Sequence, residues 1–228
     1  MAPSALTEPG ASPRVTAAVK DDKPAVGFLN PQDYMQQAID LMGQSYEVHV
    51  LTPQSWEDSE MEAQVAYCRE HGIEAAGGFA QKDAFHHLLI NERLGNVVPS
   101  QLAFLHCMNK YLSRRLEPKP LWFAPIDPIA ETDDAIIARI EEWPFMLKNT
   151  SLSLGQGIFK IGSEAQLREV LAAYRENEPL QHHIAFQTAH FTRGVDPEAL
   201  PSVIPPFIAE HAINLNETIE YCYEGYVT

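Results

Sequence analysis

Residues 144–161 have the sequence PFMLKNTSLSLGQGIFKI, and this stretch decides how the second half of the chain folds. Two apolar runs, Pro144 to Lys148 and Gly157 to Ile161, have the composition of β-strands, and the residues between them are mostly small or polar. Main-chain N–H groups of such a loop can point at phosphate oxygens, and Lys148 at the strand end supplies a compensating charge. The pattern predicts a hairpin that binds a triphosphate.

The hairpin differs from a Walker A loop, because its lysine precedes the loop and the loop joins two strands instead of a strand and a helix. The loop positions that we expect to contact phosphate are Ser151, Ser153, Gly155 and Gly157. The stretch alone leaves one alternative open, a plain hairpin with a solvent-exposed lysine.

Upstream of the hairpin, short apolar strands alternate with helical patterns. The predicted strands are Ala25–Leu29, Glu47–Leu51 and Ile73–Gly77. Each predicted helix between or after them ends at a glycine: Gly43, Gly72 and Gly95. Ser59 and Glu62 form a predicted capping box at the start of the second helix. This alternation predicts a parallel sheet with right-handed crossovers.

The first crossover begins with FLNPQD (28–33) and lacks the G-x-G-x-x-G of dinucleotide-binding folds, which disfavours a redox enzyme. A further helix is predicted over Pro99–Leu116 and carries the basic residues Lys110, Arg114 and Arg115. A proline-rich connector, EPKPLWFAPIDP (117–128), follows it. We therefore predict a disordered leader (1–24), a first domain (25–128) and a second domain (129–228).

The second domain has a different order of predicted helices and strands. Thr132 is a predicted cap for a helix over 133–142, and Ser163 with Gln166 forms a capping box for an amphipathic helix. The buried stripe of that helix is predicted to contain Leu167, Val170, Leu171 and Tyr174. Further strands are predicted over Ile184–Thr188, Phe207–Glu210 and Glu217–Thr228.

Composition and charge exclude several classes of protein. The 228 residues are 45% hydrophobic, enough for a real core, and no apolar run approaches the ~20 residues of a membrane span. A net charge of −15 disfavours nucleic acid, because binding its backbone requires clustered lysine and arginine. Three widely spaced cysteines form no CxxC pair and fit structural roles in a reducing compartment. We expect a cytoplasmic protein that binds neither nucleic acid nor membranes.

The histidines do not predict a metal site. His86-His87 and His182-His183 are adjacent pairs whose members point in different directions on a helix or strand, and no cysteine or acid stands at a ligand spacing near them or near His190.

The order of these features resembles the ATP-grasp superfamily. The matching features are a parallel-sheet domain, a helix with a lysine after Pro-Ser, the lysine strand, the phosphate loop, an amphipathic helix and a hinge motif E-x-x-[ILV]-x(3)-E. In this chain the hinge motif consists of Glu210, Ile213 and Glu217. The resemblance covers residues 25–228 and implies an α/β fold: a parallel, Rossmann-like pre-ATP-grasp sheet followed by the smaller α+β ATP-grasp lobe, ending at the hinge.

The resemblance also implies roles for individual residues. Lys110 and Lys148 would contact the phosphates of ATP, and Lys148 would also reach the adenine. Glu210 would accept a hydrogen bond from the adenine amino group, with the main chain around His211 and Ile213 at the adenine edge. Glu217 would hold the ribose hydroxyls.

The implied activity is that of a ligase, which uses ATP to convert a carboxylate into an acyl phosphate that an amine attacks. Small-molecule carboxylates and amines would be the substrates, Mg²⁺ would be held by residues outside this chain, and a homo-oligomer is compatible with the family. Because the chain ends within a predicted strand, we expect a fragment without the metal-binding lobe. The alternative is a non-catalytic or truncated module that acts in binding or regulation.

Overall fold

The computed structural model describes residues 23–55, 57–78, 81–118, 120–152 and 156–213, except the side chains of residues 34, 81 and 82. Most of the predicted leader and the predicted strand Glu217–Thr228 therefore lie outside the described residues. The strands are β1 (Ala25–Leu29), β2 (Glu47–Leu51), β3 (Ile73–Gly77), β4 (Phe123–Ile126), β5 (Phe145–Asn149), β6 (Ile158–Ile161) and β7 (Phe207–His211). The helices are α1 (Gln36–Met42), α2 (Asp58–Glu70), α3 (Gln81–Leu94), α4 (Gln101–Met108), α5 (Lys110–Leu116), α6 (Asp133–Ile137), α7 (Glu164–Glu176) and α8 (Glu178–Thr192).

The first sheet has the strand order β2-β1-β3, and both strand pairs are parallel. Helices α2 and α3 bury Met61, Val65, Cys68 and Phe85 in a core that also contains Leu29 of the central strand. Parallel neighbours require crossover connections, and the glycine-terminated helices provide them. The predicted parallel unit is confirmed.

The second sheet is antiparallel, with the order β4-β7-β5-β6. Successive strand side chains point to opposite faces, so β5 directs Phe145 and Leu147 to one face and Met146 and Lys148 to the other. The first face packs in a core with α7, where Leu167, Leu171 and Tyr174 are buried. The predicted fold class, a parallel α/β unit followed by an α+β unit, is confirmed.

The start of α7 follows the predicted capping box with one change. Ser163 Oγ accepts a hydrogen bond from Gln166 N at 3.3 Å. The Gln166 side chain, however, accepts from Gly162 N at 2.8 Å, one residue before the expected partner. The two hydrogen bonds still satisfy two main-chain donors at the helix N-terminus.

The predicted helix over Pro99–Leu116 is wrong in one respect, because it is divided at Asn109. This residue has an extended backbone, with φ −107° and ψ 117°, and its side chain caps α5 by accepting from Leu112 N at 3.1 Å. Asparagine competes with helical hydrogen bonding through its side chain and favours caps. The break is important for the site, because it makes Lys110 the first residue of a separate helix.

The predicted strand over Ile184–Thr188 is also wrong, since these residues lie within α8. Asn177 caps this helix by accepting from Leu180 N at 3.1 Å, and a proline occupies its first turn. Helix α8 buries Ile184 in the core of the second sheet and Phe191 in the core of the first. Tertiary packing on both sides stabilises a helix that local composition does not indicate.

Two other helices differ from the predictions, one at its end and one at its start. Helix α6 ends at Ile137 instead of residue 142, although Thr132 caps it as expected by accepting from Ala135 N at 3.3 Å. Helix α2 begins one residue before Ser59, and no side chain caps it at Glu57, so the predicted Ser59 box is wrong. Strand β4, which precedes the predicted boundary at residue 128, pairs with β7 in the second sheet. The domain limits themselves stay a prediction.

The described part of the chain contains no helix that combines the length and the apolar character of a membrane span. Cys68 lies in the first core, where burial raises the pKa of its thiol. Cys107 is exposed, and Cys222 lies outside the described residues.

We predict that Leu171→Ala lowers the free energy of unfolding by about 2–5 kcal/mol, because Leu171 is buried beneath the second sheet and truncation leaves a cavity. Glu169→Ala is the matched control, since Glu169 is an exposed residue of the same helix and its loss should change stability by less than about 0.5 kcal/mol. Chemical denaturation followed by circular dichroism measures both. Equal stability of the two variants would show that α7 does not form the core as described.

Candidate functional site

Lys148 and Glu210 meet on the face of the second sheet that is turned away from the α7 core. Met146 stands opposite Glu210 and Lys148 stands opposite Ile208 in the β5–β7 register, so the two charged residues lie diagonally on one face. Lys148 Nζ forms an ion pair with Glu210 Oε1. The side chain of Glu210 is only 8% exposed and that of Lys148 is 24% exposed.

Helix α5 adds two more cations to this face. Lys110 and Arg114 are four residues apart, and therefore lie on one side of the helix. Arg114 Nε donates to Glu210 Oε2 at 2.9 Å, and Arg114 Nη1 pairs with Glu117. Lys110 Nζ donates to the carbonyl oxygen of Leu152 at the start of the loop. We refer to Lys110, Arg114 and Lys148 as the cation cluster.

The pKa values of the cluster follow from burial and from the charges within it. Burial raises the pKa of Glu210, but the hydrogen bonds and charges of Arg114 and Lys148 outweigh it and hold this pKa below its usual value. Burial lowers the pKa of Lys110, and the nearby positive charge of Lys148 lowers it further, against the opposing effect of Glu210. Burial also disfavours the charged form of Arg114, yet its hydrogen bond to Glu210 leaves the guanidinium pKa raised.

These shifts leave the carboxylate of Glu210 ionised and Arg114 charged at neutral pH. The cluster contains three cationic side chains and only two neighbouring carboxylates, those of Glu210 and Glu117. Arg114 and Lys148 pair with these carboxylates, whereas Lys110 donates to an uncharged carbonyl oxygen. The cluster is a local excess of positive charge in a chain whose net charge is −15. Such a local excess attracts anions even when the whole molecule repels them.

Asn149, the residue after Lys148, anchors both ends of the loop between β5 and β6. Its side-chain oxygen accepts from Ser151 N and Leu152 N, each at 2.9 Å, and its amide nitrogen donates to Pro206 O at 2.9 Å. Asn149 N donates to the carbonyl oxygen of Gly157 at 2.8 Å, which closes the loop across the hairpin. The Asn149 side chain is fully buried.

The backbone geometry at Gly157, at the far end of the loop, requires a glycine. Its φ is +64°, and a Cβ atom at this position would lie 2.8 Å from the Cβ of Asn149. Any larger residue would clash there and adopt an unfavourable left-handed backbone. This glycine is therefore fixed by the packing of the hairpin, whatever contact it makes with a ligand.

Thr150 and Ser151 connect the loop to other parts of the chain. Thr150 Oγ1 donates to Pro205 O at 2.8 Å, and Lys110 N donates to the carbonyl oxygen of Thr150 at 2.9 Å. The Ser151 side chain is buried, and its hydroxyl lies 3.4 Å from Asn109 Nδ2. The hydroxyl of Ser151 thus faces the protein interior, while its phosphate-binding role stays a prediction.

The predicted hinge residues are only partly described. His211 Nδ1 pairs with Glu142, and His211 N donates to Trp122 O at 3.2 Å within the sheet. Ile213 is 53% exposed. The remaining predicted site residues, Ser153, Gly155 and Glu217, lie outside the described residues.

Sequence reasoning did not assign Arg114, Asn109 or Asn149 to the site. Arg114 follows Lys110 at helical spacing, so the pattern does suggest that the two share a side of the helix. The partner of Arg114 is 96 residues away, which no local pattern reveals. Asn149 stands at the end of a strand before a turn, a position where asparagine often bonds to the main chain.

The buried histidines lie in the first core and not in the cluster. His86 and His190 pack edge to face with ring centroids 5.5 Å apart. Burial, followed by the nearby His86 and Arg193, lowers the pKa of His190 to about 3. Within the described ranges, no group of three His, Cys, Asp or Glu side chains is arranged to hold a metal ion.

We predict a pH-dependent stability contribution from Glu210. A carboxylate whose folded-state pKa is below the unfolded value of about 4.3 stabilises the protein above that value and loses this effect as pH falls through the folded pKa. The difference in free energy of unfolding between wild type and Glu210→Gln should therefore be largest above about pH 5 and shrink on acidification. Denaturant titrations across this pH range measure it. Glu169→Gln, at an exposed position of α7, is the matched control for this comparison of unfolding free energies. A difference for Glu210→Gln that is constant with pH would contradict the described ion pairs.

No protein-family model matches this chain, and no curated protein sequence matches it. Among solved structures, the crystal structure of an L-amino acid ligase from Bacillus licheniformis is similar over 85% of this chain, with a TM-score of 0.59 and 11% sequence identity. The chain spans 47% of the length of that ligase chain. At this identity the similarity shows the fold alone, and that fold is ATP-grasp-like.

Proposed function

We propose that this chain binds ATP on the charged face of its second sheet, as the nucleotide-binding part of an ATP-grasp-type ligase. One observation carries the proposal: three cations from two separate elements, α5 and β5, converge beside a hairpin loop that is anchored at both ends. A triphosphate carries several negative charges, and clustered cations bind such a group through charge-assisted hydrogen bonds.

The orientation of the nucleotide follows from the order of the residues along α5. Lys110 contacts the loop and Arg114, one turn later, contacts Glu210 near the hinge. The triphosphate would therefore lie over Lys110, Lys148 and the loop 151–157, with the base toward the segment Glu210–Ile213. In this orientation Glu217 would be the ribose-binding acid, as the family resemblance implies.

The ligase reaction is the further part of the proposal. The structural neighbour is named as an L-amino acid ligase, which fits activation of a small carboxylate as an acyl phosphate and attack by an amine. ATP-grasp ligases use Mg²⁺, and the described residues include no group of three His, Cys, Asp or Glu side chains suited to holding it. We propose that any such ligands belong to a part of the protein outside the described residues.

We predict that Lys148→Met weakens binding of ATP at least about tenfold, because it removes a charge-assisted phosphate contact worth about 1.5–3 kcal/mol. Lys160→Met is the matched control: Lys160 is an exposed lysine of β6 on the same face, opposite Met146, and it does not contact Glu210. Its replacement should change the affinity less than about threefold, as expected for a solvent-screened charge. Isothermal titration calorimetry with Mg-ATP measures the affinity of wild type and of both variants.

Equal affinities for wild type and Lys148→Met would refute the assigned site. If ATP binds as predicted, release of ADP and phosphate in the presence of amino acids then separates the two candidate functions. Turnover supports a ligase, and binding without turnover across a panel of amino acids supports a binding or regulatory module.

A further inference from the structure

We propose that Arg114 is a specificity-determining residue that, by sharing Glu210 with Lys148, keeps this carboxylate from reading the base and assigns it to the cations that face the triphosphate. This inference rests on the proposed ATP site and deepens it. In the family pattern the hinge glutamate reads the adenine amino group. The contacts in this chain indicate a different use for that carboxylate.

The first step is that both oxygens of Glu210 already have charged donors. Lys148 Nζ pairs with Oε1 and Arg114 Nε donates to Oε2 at 2.9 Å. The Glu210 side chain is only 8% exposed, so little of the carboxylate remains accessible to a further donor. A base amino group would have to displace one of the two cations in order to bond there.

The second step identifies Arg114 as the determinant. Lys148 belongs to the predicted triphosphate site and can move toward an incoming phosphate on a flexible side chain. Arg114 is held from two sides, because its Nε contacts Glu210 and its Nη1 contacts Glu117. A planar guanidinium fixed between two carboxylates is the partner less readily displaced.

The third step is the size of the effect on selectivity. A hydrogen bond from an amino group to an ionised carboxylate changes affinity by about tenfold or more. Guanine presents a carbonyl oxygen where adenine presents its amino group, and a carboxylate would repel it. Reading of the base through Glu210 would therefore add at least about tenfold to the preference for ATP over GTP, whereas a Glu210 that serves the cations adds nothing to it.

The experiment compares Mg-ATP, Mg-GTP and inorganic tripolyphosphate by calorimetry on the full chain. For wild type we expect tripolyphosphate to compete with both nucleotides for the same site, and the ratio of the ATP and GTP affinities is the reference value. In Arg114→Ala, which uncovers Glu210 Oε2, the preference for ATP over GTP should rise about tenfold above the wild-type ratio. Arg115→Ala is the matched control: Arg115 is the exposed neighbour on α5, placed over the Tyr111 ring, and its loss should leave the ratio unchanged.

The outcomes separate this inference from the proposed function. An Arg114→Ala protein that is folded by circular dichroism and binds ATP, but keeps the wild-type ratio, would overturn the inference and leave the ATP site intact. Failure of all three ligands to bind would overturn the proposed function, and the inference with it.

Discussion

The carboxylate of Glu210 joins three elements of this structure, since it lies on β7 and pairs with Lys148 on β5 and Arg114 on α5. A buried ionised group is costly unless opposite charges and hydrogen bonds compensate it. Glu210 has both. Its negative charge in turn offsets the repulsion between the two cations, Lys148 and Arg114, which pair with it from two sides. Glu210 thus ties the second turn of α5 to the sheet, while the first turn is held by the hydrogen bonds of Lys110 to the carbonyl oxygens of Thr150 and Leu152.

The anchoring of the loop between β5 and β6 is a separate constraint from the charges. The side chains of Asn149 and Thr150 donate to the carbonyl oxygens of Pro206 and Pro205. Gly157 closes the other end, where only a glycine fits beside Asn149. The described ends of the loop are thus fixed in place, and the main-chain N–H groups of Ser151 and Leu152 are used in fixing them, because both donate to Asn149 Oδ1.

Much of the fold could be predicted from sequence because it depends on local periodicity. The alternation of Phe145 and Leu147 with Met146 and Lys148 gives the two faces of β5, and the stripe of α7 gives the helix that covers one of them. The helix α8 could not be predicted in the same way, because Ile184–Thr188 has the β-branched and aromatic character of a strand. It is helical because Ile184 and Phe191 fill two different cores.

The site shows the same division between local and distant causes. Lys148 and Glu210 stand at recognisable strand ends, whereas the pairing of Arg114 with Glu210 depends on how α5 packs after the break at Asn109. A carboxylate that neutralises two cations stabilises their positions, but it is then poorly available to accept a hydrogen bond from another donor. In the proposed ATP site, recognition of the base through Glu210 and concentration of positive charge for the phosphates would therefore compete for one buried group, and the contacts of Glu210 favour the second use.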